Sequence, residues 1–178
     1  MPEHHAARTG AGRPDRALFS FAQIQHVLRV EFGRAQRYRY PLTCLVLAVD
    51  QLGTIRDTGG YEAKERLVEG VIELLADATR SSDFLGRTAD DRLIAVVPHT
   101  PAEGARVLAR RLVDSVRALT VGRGAGVEHV TLSLGACANG DSSVMYFDAL
   151  LEGAQRAFDE AVAQGGNRYV ETSLDGPA

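Results

Sequence analysis

A mixed α/β domain is predicted by three features of the chain. Apolar runs rich in β-branched residues alternate with amphipathic stretches of helical period. Two of the apolar runs are adjacent, separated only by the polar turn inside "LGRTADDRLIAVVP", residues 85–98. Strands that alternate with helices imply helices packed across a sheet, and one hairpin among them makes that sheet mixed.

Each element has its own signal. In "ALFSFAQIQHVLRVEFGRAQRYRY", Phe21, Ile24, Leu28, Phe32 and Ala35 recur at helical spacing and predict a helix over about 20–38. "PLTCLVLAV", residues 41–49, is a near-continuous apolar run ending at Asp50, the pattern of a central strand covered on both faces. Thr58-Gly59-Gly60 breaks the chain. The stretch from Tyr61 to Arg80 then places Leu67, Val71, Leu74, Leu75 and Ala78 on one helical face. "DFLGR" and "RLIAVVP" are the two hairpin strands. Pro101 and Glu103 open the next helix, which turns Ala105, Leu108, Ala109, Leu112, Val113 and Val116 inward. "VGRGAGVE" lacks the Lys-Ser/Thr ending of a phosphate-binding loop and is read as a connector. A strand over 129–138, a helix over 142–166 closed by Gly165-Gly166, and a last strand "NRYVETS" complete the chain. The expected sheet has five strands.

Length and composition bound the rest. At 178 residues the chain holds one domain with a proper core. Residues 1–17 are expected to be a disordered tail, 18–172 the domain, and 173–178 a short C-terminal tail. The net charge of −3 points away from nucleic acid and from anionic membranes. No apolar run approaches the ~18 residues of a membrane helix, and no signal-peptide core is seen, so a cytoplasmic location is expected. Nineteen of the 20 basic residues are Arg; Lys64 is the exception. Cys44 and Cys137 lie inside apolar strands and read as buried, reduced thiols rather than a disulfide.

Several stretches, in order and spacing, resemble the GGDEF (diguanylate cyclase) domain over about residues 18–172. They are "EFGRAQRYRYPL", Asp57-x-x-Gly60, Arg80-x-x-Asp83-x-x-x-Arg87, "VVPHT", "TLSLGACA" and "A-x-x-x-GGNR". The resemblance implies the nucleotidyl cyclase palm, a central mixed sheet wrapped by helices, with a signature turn at the hairpin tip.

Placed on this chain, the signature turn is Ala89-Asp90-Asp91-Arg92-Leu93. The two glycines that let a nucleotide approach are Ala89 and Asp90, and the second acid is Arg92. A cation for an anion at a metal position is a large change, since unit charges ~4 Å apart at an effective dielectric near ~20 interact by about 4 kcal/mol. The resemblance puts the first-strand metal aspartate at Ala48, leaving Asp50 as the remaining strand-end acid. It puts the guanine-reading pair at Arg56 and Glu65, and the triphosphate-binding cations at Val162 and Gly166. These substitutions lead to the expectation of no catalytic residues, no metal site, no Mg²⁺ dependence and no cyclase activity. Asp50, Asp57 and Asp91 are then turn and strand-end carboxylates, or hold a residual nucleotide or metal contact.

The resemblance also implies a second site. An R-x-x-D motif ahead of the signature turn, Arg80-Ser81-Ser82-Asp83, stands where such domains bind cyclic di-GMP, with a further arginine at Arg111. An Arg fork suits a guanine edge or a phosphate, and Asp suits guanine N–H groups. The pattern alone is weak, because Arg87–Asp90, Arg111–Asp114 and Arg156–Asp159 also spell it. The bland alternative is a surface ion pair worth ~0–1 kcal/mol. The expected function is a cyclic di-GMP receptor, with a homodimer or a ligand-bridged dimer as its assembly, or a docking site for a protein partner. The alternative is a ligand-free dimerisation or interaction module. A third, weaker reading has the active site retaining GTP as an effector, against which Val162 and Gly166 argue.

Overall fold

A computed structural model of the chain describes residues 18–119, 129–140 and 146–174. The expected N-terminal tail, the connector 121–128 and the first residues of the 142–166 helix lie outside the described residues.

The chain runs β1 (Phe19–Ser20), α1 (Phe21–Tyr38), β2 (Leu42–Val49), α2 (Leu52–Ala78), β3 (Phe84–Arg87), β4 (Leu93–Pro98), α3 (Ala102–Val116), β5 (Leu132–Ala138), α4 (Asp148–Ala163) and β6 (Tyr169–Ser173). The sheet has six strands in the order β1-β3-β4-β2-β5-β6. β2 is antiparallel to both of its neighbours, β3 and β4 form the hairpin, and β1 and β6 pair in parallel at the two edges.

The sixth strand corrects the expected count of five. β1 is two residues long, too short to carry any period, and exists because Phe19 and Ser20 pair with Gly86 and Arg87 before α1 begins. Ser20 then caps α1: its Oγ accepts the Gln23 N–H at 3.4 Å, and Gln23 Oε1 accepts the Ser20 N–H at 2.8 Å. β6 reaches Ser173, one residue past the expected domain end, where it pairs with Ala138 in the sheet.

β2 is the pillar of the core. Its alternate residues Cys44 and Val46 face α1 and α4, where Ile24, Leu28, Phe32, Leu150, Ala154 and Phe158 cover them. Leu45, Leu47 and Val49 face the other way, onto Leu67, Val71, Leu75, Leu108 and Leu112 of α2 and α3. Burial on both faces is why the sequence shows a continuous apolar run rather than alternation. Cys44 and Cys137 are unbridged, buried, and direct cross-strand partners. Burial pushes the Cys137 thiol up to about 11.

α4 lies unusually close to β5. A Cβ on Gly135 would come 2.0 Å from the Phe158 backbone nitrogen, so only glycine lets the helix sit there. α2 begins earlier than its apolar period suggests. Leu52 to Gly59 is helical, and the break predicted at Thr58–Gly60 is a kink at Gly60, with φ 83° and ψ 171°. No helix of the described residues is long and apolar enough to cross a membrane.

Candidate functional site

The hairpin tip is closed by its own threonine. The Thr88 N–H donates to the Arg92 carbonyl at 2.9 Å, and Thr88 Oγ1 accepts the Arg92 N–H at 3.1 Å. Between them Ala89 and Asp90 are exposed, Leu93 is buried in the core, and Asp91 adopts a left-handed conformation with φ 63°. Aspartate tolerates that conformation better than most residues.

The Asp91 carboxylate is fully engaged. Lys64 Nζ lies 2.6 Å from Oδ2, and Arg87 Nε donates to Oδ1 at 3.0 Å. Arg87 also spans both oxygens of Glu65 at 3.0–3.2 Å, and Lys64 lies 3.2 Å from Glu65. Two cations and two carboxylates thus tie the tip of the hairpin to the first turns of α2 beyond the Gly60 kink. Burial alone would push the Asp91 carboxyl up, but the hydrogen bonds from Lys64 and Arg87 hold it below the usual range. Arg87 and then Lys64 do the same for Glu65, while Asp91 and Glu65 hold the Lys64 ammonium above its ordinary value.

Arg92 turns the other way. Its Nε pairs with Asp90 at 2.9 Å, and its guanidinium lies 5.0 Å from the Phe158 ring centre on α4. Beside it a cavity of about 600 Å³ opens between α1, α4 and the hairpin, floored by Val46 and Ile94.

The remaining family positions lie at the same end of the sheet. Asp50 accepts from Thr131 Oγ1 at 2.7 Å, Ser133 Oγ at 2.6 Å and the Asn167 N–H at 2.9 Å. It acts as a clasp joining β2, β5 and the turn before β6. Gly166, φ 72°, lies against that clasp, since a Cβ there would come 2.9 Å from Asp50 Oδ1. Arg56 pairs with its neighbour Asp57 at 2.8 Å, and Val162 is exposed. The groups at the family's ion positions do not fit a divalent cation as they stand. Ala48 has no side-chain oxygen to offer, Arg92 is a cation, and the carboxylate oxygens of both Asp50 and Asp91 already accept from neighbouring groups. Among the described residues no cluster of three or more His, Cys, Asp or Glu side chains could hold a metal.

The R-x-x-D motif forms a compact turn at the end of α2. The Asp83 N–H donates to the Arg80 carbonyl at 3.1 Å, and Asp83 Oδ2 accepts the Arg80 N–H at 2.7 Å. Asp83 is only 6% exposed, whereas Arg80 is exposed. The carboxylate therefore faces inward and clamps the turn, and the guanidinium side faces out. Arg111, also exposed, is on α3.

Lys64 escaped the sequence reading. Its signal was being the single lysine among 20 basic residues, four positions after the Gly60 break. Nothing in the sequence paired it with Asp91, 27 residues away.

The fold and the turn define a palm-type α+β domain with a hairpin signature. A family model described as "Diguanylate cyclase, GGDEF domain" matches residues 17–168, and the chain belongs to this family. The chain is 27% identical over 143 residues to the probable diguanylate cyclase DgcC of Escherichia coli (strain K12), covering 80% of this chain and 38% of that protein. It is 27% identical over 134 residues to diguanylate cyclase A of Treponema denticola, covering 72% and 34%. The chain thus spans little over a third of these curated relatives. Among solved structures, the active GGEEF domain of a diguanylate cyclase from Vibrio cholerae matches with a TM-score of 0.80 at 22% identity, covering 87% of this chain and 97% of that one. The coiled coil and GGDEF domain of DgcB from Caulobacter crescentus, solved in complex with c-di-GMP, matches with a TM-score of 0.80 at 16% identity, covering 88% and 83%.

These findings overturn one expectation. The chain was expected to be no enzyme, but its family is that of the diguanylate cyclases and the relatives are named as such. The expectation counted lost side chains position by position. In the folded chain the charge near the tip is redistributed rather than removed, with Lys64, Glu65, Arg87 and Asp91 gathered there from three segments.

Proposed function

We propose that this GGDEF domain binds cyclic di-GMP at the turn following α2. Arg80 and Arg111 supply planar cationic forks to guanine edges and phosphates, and Asp83 sets the turn that presents Arg80. The observation that carries the reading is the Arg80 turn itself. An exposed arginine is held on a backbone turn clamped by a buried carboxylate, and a second exposed arginine stands on α3. A ligand held at this exposed edge can bridge two copies of the domain or the domain and a protein partner. Calorimetric titration with cyclic di-GMP tests the reading: saturable heat is expected, weakened at least ~10-fold in Arg80→Ala. No heat at ~100 μM ligand ends it.

A second reading is favoured by the names of the relatives: formation of cyclic di-GMP from GTP. Incubation with GTP and Mg²⁺, followed by product analysis, tests it independently of the binding site. Product at a steady rate supports it, and its complete absence removes it.

A further inference from the structure

Charge is unevenly divided between the two sides of the sheet. On one side α1 carries Arg29, Arg34 and Arg37, and its single acid, Glu31, is only 6% exposed. All three arginines are exposed, and the outward face they share also holds Val30 and Gly33. Arg29 and Arg37 lie against the Phe147 and Tyr38 rings, 4.8 and 5.5 Å from the ring centres. Such contacts steady a guanidinium without cancelling its charge. Open space stands over Gly33, so the helix backbone is bare between the arginines. A glycine there costs helix stability and leaves room for a neighbour to come close.

On the other side α2 turns out Glu62, Glu69, Glu73 and Asp77, all exposed, with Arg66 the one cation on that stripe. Arg29 to Arg37 and Glu69 to Asp77 are each eight residues apart, about 12 Å along either helix. We infer that the arginine face of α1 is a docking surface for a second copy of this chain, which presents its α2 stripe. The whole chain is acidic, with a net charge of −3, so the basic helix is the exception and meets its complement on every other copy. Because the two faces lie on opposite sides of the sheet, one copy can use both at once. The contact is therefore head-to-tail and repeats into a row, instead of closing as a symmetric pair. Exposed ion pairs are individually weak and are screened by salt, so assembly belongs to high local concentration and low ionic strength. It needs no ligand and stands independently of cyclic di-GMP binding at Arg80.

Sedimentation velocity of the full chain, freed of nucleotide, tests this at ~100 μM protein in ~50 mM and ~500 mM salt. At low salt the average mass is expected to rise with concentration to more than ~2-fold that of the monomer, and at high salt to return to it. Arg29→Glu/Arg37→Glu and Glu69→Arg/Glu73→Arg should each stay monomeric alone. Mixed in equal amounts they should assemble, since every contact between unlike copies then joins a basic face to an acidic one. The chain carrying all four reversals should assemble by itself. If Arg29→Glu/Arg37→Glu fails to fold, Arg29→Gln/Arg37→Gln takes its place, with loss of assembly expected. A wild type that stays monomeric at low salt leaves α1 to an acidic partner of another kind and overturns the inference. So does a dimer that grows no further, assembly that either pair of reversals leaves intact, or a mixture of the two variants that stays monomeric.

Discussion

The tip of the hairpin and the turn after α2 are two polar turns built on opposite plans. At the tip every charge is answered by another: Asp91 by Lys64 and Arg87, Asp90 by Arg92, Glu65 by Arg87. At the α2 turn the buried Asp83 carboxylate accepts the Arg80 backbone N–H, and Arg80 stands exposed on that turn. The first arrangement stabilises position, because neutralised side chains tie β3–β4 to α2 and α4. The second presents a charge outward on a fixed base. Charges tied into a network leave little for a ligand to bind, whereas an exposed arginine on a clamped backbone is well placed to meet one.

That contrast can be broken at several points. The largest effect is expected from Gly135→Ala, which forces α4 away from β5 and so unseats Phe158 from beneath Arg92. Destabilisation of about 3 kcal/mol is expected, hence a midpoint lower by roughly 6–12 °C. Cyclic di-GMP affinity measured well below that midpoint should not change. Next, Arg80→Ala should weaken cyclic di-GMP at least ~10-fold with no change in thermal midpoint, while Lys64→Met shows the reverse. If both variants move both readouts, the two turns are coupled and the comparison fails.

Asp83 sharpens the contrast further. Asp83→Ala removes the acceptor for the Arg80 N–H and should cost about 1–2 kcal/mol of stability as well as ligand affinity. Asp83→Asn keeps an acceptor oxygen and should retain affinity within a few-fold. Equal loss in both variants would mean that the carboxylate itself meets the ligand.

Acid should dissolve the tip before the α2 turn. Asp91 and Glu65 are held below their ordinary values, so the folded state favours their charged forms. Their contribution is present above the unfolded carboxylate values of ~4 and is lost as the pH falls through the lower folded values. In urea titrations the wild type should therefore lose stability below pH ~4 more steeply than Asp91→Asn, and parallel curves would contradict the network. The smallest effect belongs to Arg92→Ala. Its partner Asp90 is mostly exposed, so a change within ~1 kcal/mol is expected by denaturant melt.

Much of this could be read in the residues because it depends on local period and on spacing. The apolar stripe of α1, the double-sided run of β2 and the hairpin strands each carry their own pattern. The placing of Ala89 to Leu93 at a hairpin tip and of Arg80 to Asp83 just after α2 follows from the same order. The first part of α2 was missed because Leu52 and Ile55 alone are too few apolar positions to show a period. β1 was missed because pairing, not propensity, makes a two-residue strand.

By itself, then, the chain determined its family, the order of the elements after β1 and which residues occupy the two turns. Those are properties of patterns along one dimension. Only the tertiary structure decided that Asp83 faces inward, that Asp50 is a clasp for β5 and Asn167, and that Lys64 reaches Asp91. Each of these is a contact between segments far apart in sequence or a choice of which way a side chain turns. Both are set by packing and by the cost of leaving a charge unpaired, which no run of neighbouring residues encodes.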